Sequence, residues 1–262
     1  MSIKSLELTN SNLEVTIGLR HEALRQGAPE AVKILKLCSE LRRLGCGALL
    51  ASYDTERFGR CLFCAADLYL QLLEGKAGWP HLDPYDMARS RGQPLLDALA
   101  IGDWGLAARV GRSMEPRWRE GLEYEEDFCF FECLPLLATL AAGQPPADAA
   151  LQDSLDRMRR ATQGIDYPRL GVLEALVQVD AEHFEEALLP LIAEHKAEVA
   201  RQRKSGLGDA VFLRTEAHVF VEGIALVRLA RALGLRTRSQ YPLIPPAALK
   251  PLPGPFTRIA LG

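Results

Sequence analysis

The sequence predicts an all-α fold: an irregular, repeat-like bundle of about eight to ten helices arranged as hairpins, with an extended proline-rich arm at the C-terminus. Three observations carry this. Apolar residues recur at three- and four-residue spacing along almost the whole chain. Glycine, proline and aspartate punctuate the ends of those periodic runs. One helix junction also occurs twice: Leu96-Asp97-Ala98-Leu99-Ala100-Ile101-Gly102-Asp103 aligns without gaps with Leu173-Glu174-Ala175-Leu176-Val177-Gln178-Val179-Asp180. In both copies an Ala-Leu helix end leads to an aspartate suited to cap the next helix, and an aromatic follows (Trp104, Phe184). Helical-hairpin repeats are built this way, although any two helix-turn-helix junctions share some of it.

Taken in order, Leu13 to Ile17 is the only stretch that alternates like a strand. Residues 29–44 read as a helix. Pro29 suits its first turn, Ile34, Leu37, Leu41 and Leu44 form its apolar stripe, and Gly45 is placed to stop it. A second helix spans 55–73. A third is expected from Asp83-Pro84 to about Ile101, with aspartate as cap and proline at the first helical position. Gly102-Asp103 turns into a short helix around 106–114, and the strongly apolar run 124–140 reads as a central helix. Gly143-Gln144-Pro145-Pro146 breaks the pattern and, within a single helical domain, marks the expected boundary between packed halves, 1–143 and 147–262. Helices over 147–162, 170–179 and 181–203 follow, and Gly206-Leu207-Gly208 ends the last of them. A long helix over 210–233 is apolar nearly all round and is expected inside the second half. The arm, 241–262, carries six prolines and fits neither a regular helix nor a central strand.

Composition narrows the function. Apolar residues make up 48% of the chain and charged residues 25%, with a net charge of −3, an ordinary globular balance that does not point to nucleic acid. The N-terminus lacks a secretory pattern and the longest apolar run, 219–232, is interrupted by Glu222, Arg228 and Arg231, so a cytoplasmic protein that does not enter membranes is expected. The pairs Cys61/Cys64 and Cys129/Cys133, with Cys38 and Cys46, offer enough thiols for a zinc site. Both pairs lie in apolar helix-like stretches, where spacings of three and four place small hydrophobes on one face, so buried reduced cysteine is the favoured reading.

Catalytic groupings are lacking. His21, His81, His183, His195 and His218 are scattered, and His218 with Glu222 reads as a helix-internal hydrogen bond rather than half of a metal site. Ser205 to Asp209 is glycine-rich but lacks the lysine and preceding strand of a phosphate loop. No metal, cofactor or catalytic residue is assigned. Acidic clustering is more informative. Glu120, Glu123, Glu125, Glu126 and Asp127 precede the central helix, and Asp180, Glu182, Glu185 and Glu186 form a second group. Such runs are often solvated faces or first helical turns. As a docking surface they would meet a basic partner, with Trp104, Trp118 and Tyr124 as aromatic anchors.

Val219 to Arg231, continuing through Leu235 to Tyr241-Pro242-Leu243-Ile244-Pro245-Pro246, resembles the C-terminal part of the Immunity protein 49 family, most clearly over residues 212 to 250. The resemblance implies a small cytosolic antidote encoded beside a toxin that bacteria deliver into rivals, for instance by type VI secretion. Its partner would be that cognate effector, a nuclease being one candidate, blocked by stoichiometric capping, with no nucleic acid or membrane partner and with the antidote a monomer or a homodimer. Within the resembling segment Glu222 needs a partner if buried, Gly223 would allow another helix to approach closely, and Tyr241, Pro242 and Pro245 would fix the arm. These residues and Arg228 read as structural. An effector chaperone or repeat adaptor is the main alternative, and an enzyme of unrecognised type the second.

Overall fold

The computed structural model describes residues 3–26, 30–75, 82–144, 148–206, 208–252 and 254–257. Pro29, His81, Pro145, Pro146, Leu207 and the end of the arm lie outside these. About 75% of the chain is helical and the described residues contain no strand, so the all-α expectation holds. Among the described residues, ten helices of nine residues or more and one of five make up the fold.

Helix α1, Ile3–Gln26, contains the segment expected as a strand. Five alternating residues cannot compete with the longer period, which buries Leu6, Thr9, Asn10, Leu13 and Leu24 while leaving Val15 exposed. Helix α2, Ala31–Ser52, runs straight through Gly45 and ends at Tyr53 with φ 55°. Gly45 is a contact glycine rather than a stop signal, since a Cβ there would lie 3.0 Å from Cys61 Cβ and 3.2 Å from the Phe58 carbonyl. This close approach seats α3, Thr55–Gly75, against α2.

The helix expected over 83–101 is divided. A turn and a 3-10 turn at Arg89–Arg91 precede α4, Gln93–Ile101, because Gly92 and Pro94 begin a new helix instead of continuing an old one. Next come α5, Trp104–Ser113, α6, Glu125–Ala141, α7, Asp148–Thr162, α8, Pro168–Gln178, and α9, Ala181–Ser205.

The expected 210–233 helix is also broken. It becomes α10, Ala210–Arg214, a 3-10 turn at Glu216–His218, and α11, Val221–Ala232. Thr215 returns its hydroxyl to the Val211 carbonyl at 2.8 Å, and the Phe220 amide donates at 2.7 Å to Leu243 of the arm rather than to a preceding turn. Buried apolar side chains form one large cluster with members on both sides of Gly143, in which α4 packs on α11 and α6 on α8.

The repeated junction has a shared geometry. The Asp103 amide donates to Ala98 O at 3.0 Å and the Asp180 amide to Ala175 O at 2.9 Å, while the residues before them, Gly102 and Val179, take φ 76° and 55°. Asp103 then caps α5 through the Leu106 amide, and Asp180 caps α9 through those of Glu182 and His183.

The arm makes a tight turn in which Tyr241 and Ile244 form an isolated bridge, then a 3-10 turn at Pro246–Leu249. Gly223 does face close neighbours, but they are Phe220 and the arm, since a Cβ there would sit 2.5 Å from Phe220 Cδ1 and 2.8 Å from Ile244 Cδ1. Arg228 holds the arm down by donating to the Ala248 carbonyl at 2.9 and 3.1 Å and to that of Lys250. The Tyr241 hydroxyl bonds to Glu185.

Candidate functional site: an acid-rimmed cleft

A cleft with about 1330 Å³ of space opens where α2, α4, the start of α6, the start of α8, α9 and the approach to α11 converge. Two ion-pair networks build its walls. In the first, Arg42 on α2 is buried and donates from Nε to Asp97 Oδ1 at 2.7 Å and from Nη1 to Gln93 Oε1 at 3.2 Å, with Glu216 Oε2 at 3.9 Å. Its neighbour Arg43 reaches Glu216 at 3.1 Å and Asp209 at 3.0 Å. In the second, Arg169 at the start of α8 grips Glu222 with two bonds of 2.8 Å, reaches Asp127 at 2.5 Å and stacks over Phe130. Tyr167 donates to the same Asp127 oxygen at 2.6 Å.

Nine Asp and Glu side chains line the cleft against four arginines, so its electrostatic character is acidic. Burial pushes the Asp97 carboxyl up to about 6 although Arg42 pulls the other way. Burial also lowers the pKa of His195, which stacks on Phe220 with ring centroids 4.4 Å apart.

The acidic run before α6 is divided between structure and rim. Glu123 accepts the Ser90 amide at 2.7 Å, and its own carbonyl receives the Trp118 indole at 3.0 Å. Glu125 pairs with Arg157 at 2.7 Å, and Asp127 belongs to the Arg169 network. Glu120 and Glu126 have no hydrogen-bond or ion-pair partner among the described residues, and Tyr124 between them is 75% exposed. Trp118 lines the cleft, whereas Trp104, Glu182 and Glu185 do not. Glu185 is committed to Arg238 at 3.0 Å and to Tyr241. The expected bond between His218 and Glu222 is not made. The helix break moves His218 to a 3-10 turn beside Arg203, at 3.1 Å, while Glu222 takes Arg169.

Arg42, Asp97, Arg169 and Glu216 were not singled out from the sequence as site residues. For Asp97 a signal existed, since it is a lone carboxylate inside the apolar run from Pro94 to Ile101. The six cysteines are free and buried, and burial raises their pKa, to about 12 for Cys61 and about 11 for Cys64. Among the described residues no three His, Cys, Asp or Glu side chains group to hold a metal, and no helix is long and apolar enough to cross a membrane.

Fold and cleft together define a helical-hairpin protein that presents a large charged concavity framed by internal ion pairs. The chain belongs to the Immunity protein 49 family, whose family model matches residues 21–248. The match extends nearly two hundred residues N-terminal to the segment in which the sequence resemblance is clearest. No curated protein and no solved structure matches the chain. Membership makes this an immunity protein directed against a toxin.

Proposed function

We propose that this immunity protein neutralises its cognate effector by stoichiometric capping in the cytoplasm, with the acid-rimmed cleft as docking face and without making or breaking a bond. The observation that carries the proposal is the surplus of carboxylates. Arg42, Arg43 and Arg169 are each already matched to acidic partners, and Arg91 lies 4.0 Å over the Tyr85 ring, so the charge left for a partner is negative. Such a cleft favours a basic surface. A nuclease delivered by a secretion system would carry one, because its substrate site must attract phosphate. Electrostatic steering of this kind raises association rates and fixes orientation.

The test is capture of the co-expressed toxin, with rim charges reversed where they carry no internal contact. Glu120→Lys combined with Glu126→Lys should slow association about tenfold at low salt and weaken its salt dependence while the fold stays intact. Unchanged association and unchanged protection of toxin-expressing cells would remove the cleft rim from the interface. The repeated junction supports a second reading, an adaptor that carries an effector without blocking it. Under that reading co-expression alters effector solubility or delivery and leaves toxicity unchanged.

A further inference from the structure

We infer that the floor of the cleft is a receptor for one basic side chain, a lysine or arginine of the partner, with Asp97 as its counter-charge; this deepens the capping reading and rests on it. Asp97 is 1% exposed and lines the cleft. Its Oδ1 takes the Arg42 guanidinium at 2.7 Å, but its Oδ2 is buried and receives no hydrogen bond. Buried carboxylate oxygens are normally satisfied, and one without a donor on a residue that lines a cavity marks a position where a donor from outside belongs.

Charge counting within the network leads to the same place. Arg42 and Arg43 face Asp97, Glu216 and Asp209, two cations against three carboxylates. Arg42 divides its donors among Asp97, Gln93 and the more distant Glu216, so no internal cation remains for Oδ2. Burial raises the Asp97 carboxyl to about 6 against the pull of Arg42, so this one guanidinium does not offset the desolvation. An incoming ammonium or guanidinium would supply both the missing donor and the missing charge. The walls suit the rest of such a side chain. Phe131, Phe212 and Phe220 line the same cleft and present apolar and π surface to a methylene stem or a guanidinium plane. An anionic ligand would instead meet the carboxylate surplus with every guanidinium on these walls already engaged.

The probe is a blocked tetra-arginine peptide, with a blocked tetra-glutamate peptide of equal length as control, titrated calorimetrically into the full-length protein at low salt. The unsubstituted protein should bind one tetra-arginine peptide and no tetra-glutamate. Asp97→Asn, which keeps an oxygen for Arg42 and removes the charge, should weaken binding at least tenfold. Because that change also alters the partner of Arg42, Ser39→Trp serves as a second variant. Ser39 lines the cleft on α2, one turn before Arg42 and Arg43, and the indole would obstruct the space while leaving Asp97 and its charge in place. It should weaken the peptide to the same degree with an unchanged melting temperature. Failure of the unsubstituted protein to bind tetra-arginine, equal binding of tetra-glutamate, or undiminished binding by folded Ser39→Trp would each overturn the inference. Toxin capture separates the two levels. Capture that both variants leave unchanged overturns this inference alone, whereas no capture by the unsubstituted protein overturns the capping reading.

Discussion

Gly102 and Val179 occupy equivalent places in the repeated junction, and both turn the chain through the left-handed region, at φ 76° and 55°. Glycine does so freely, whereas a β-branched residue is strained there by roughly 1–2 kcal/mol. Val179 is 54% exposed, so little packing would be lost by replacing it. Val179→Gly should therefore stabilise the protein, by about 0.5–1 kcal/mol, and Gly102→Ala should destabilise it by about 1–2 kcal/mol, as read by urea denaturation. Equal signs for the two would mean that the turns are not equivalent. Asp97 gives a prediction in pH. Its carboxyl is raised in the folded protein, so between the ordinary aspartate value and about 6 the folded state binds more protons than the unfolded one. Its contribution favours folding at pH 4 and is lost as the pH rises through 6. The stability of the native protein relative to Asp97→Asn should fall between pH 4 and 7, and parallel curves would contradict the assignment. Residues of this kind were only half legible in the sequence. Glu222, a carboxylate in an apolar helix, announced its need for a partner, and that partner, Arg169, lies 53 residues away where no local pattern points to it. Asp97 carried the same signal but also fitted the junction pattern.

Among the elements, the join between α5 and α6 shows how a rule broken in one helix is compensated by another residue. Pro135 sits inside α6, where it can donate no amide to the Phe131 carbonyl one turn earlier. Arg89, from the 3-10 turn before α4, is 6% exposed and reaches that carbonyl at 3.4 Å, together with Gly111 O at 3.2 Å and Glu115 O at 2.9 Å at the end of α5. Its guanidinium also lies 5.3 Å from the Phe128 ring centre. Gly111 makes room for the proline ring, since a Cβ there would fall 2.0 Å from Pro135 Cγ. Arg89→Ala leaves these carbonyls without their donor and should cost about 3 kcal/mol or more, and Arg89→Lys should restore little because an ammonium cannot fork among three acceptors. Recovery of full stability by lysine would show that charge rather than geometry matters. Element identity was legible where a long apolar period met a capping aspartate, as in α3 and α9, and where the apolar run was long and unbroken, as in α6. The reading failed at 13–17, Gly45 and 215–220, where the deciding contacts come from α2, α3 and the arm, and at 83–92, where Arg89 must reach across to α5 and α6.

For the molecule as a whole, the arm closes the bundle and holds one side of the cleft in place. Leu243 receives the Phe220 amide, Ile244 sits over Gly223, and Phe256 meets Phe63 of α3 with ring centroids 5.7 Å apart. Phe220 and Glu222 also line the cleft, so loosening the arm should disturb the site. Ending the chain after residue 240 uncovers the surfaces beneath the buried Tyr241, Ile244, Ala248 and Leu249, and should lower the melting temperature and toxin capture together. A truncated protein that melts as before would show the arm to be dispensable. The central claim, that this immunity protein acts as a folded surface without chemistry of its own, is tested most directly by titration against its toxin. With a fixed amount of toxin and increasing amounts of purified protein, toxic activity should fall linearly and reach zero at one equivalent. Loss of activity well before that point, with one protein molecule disarming many toxin molecules, would contradict it.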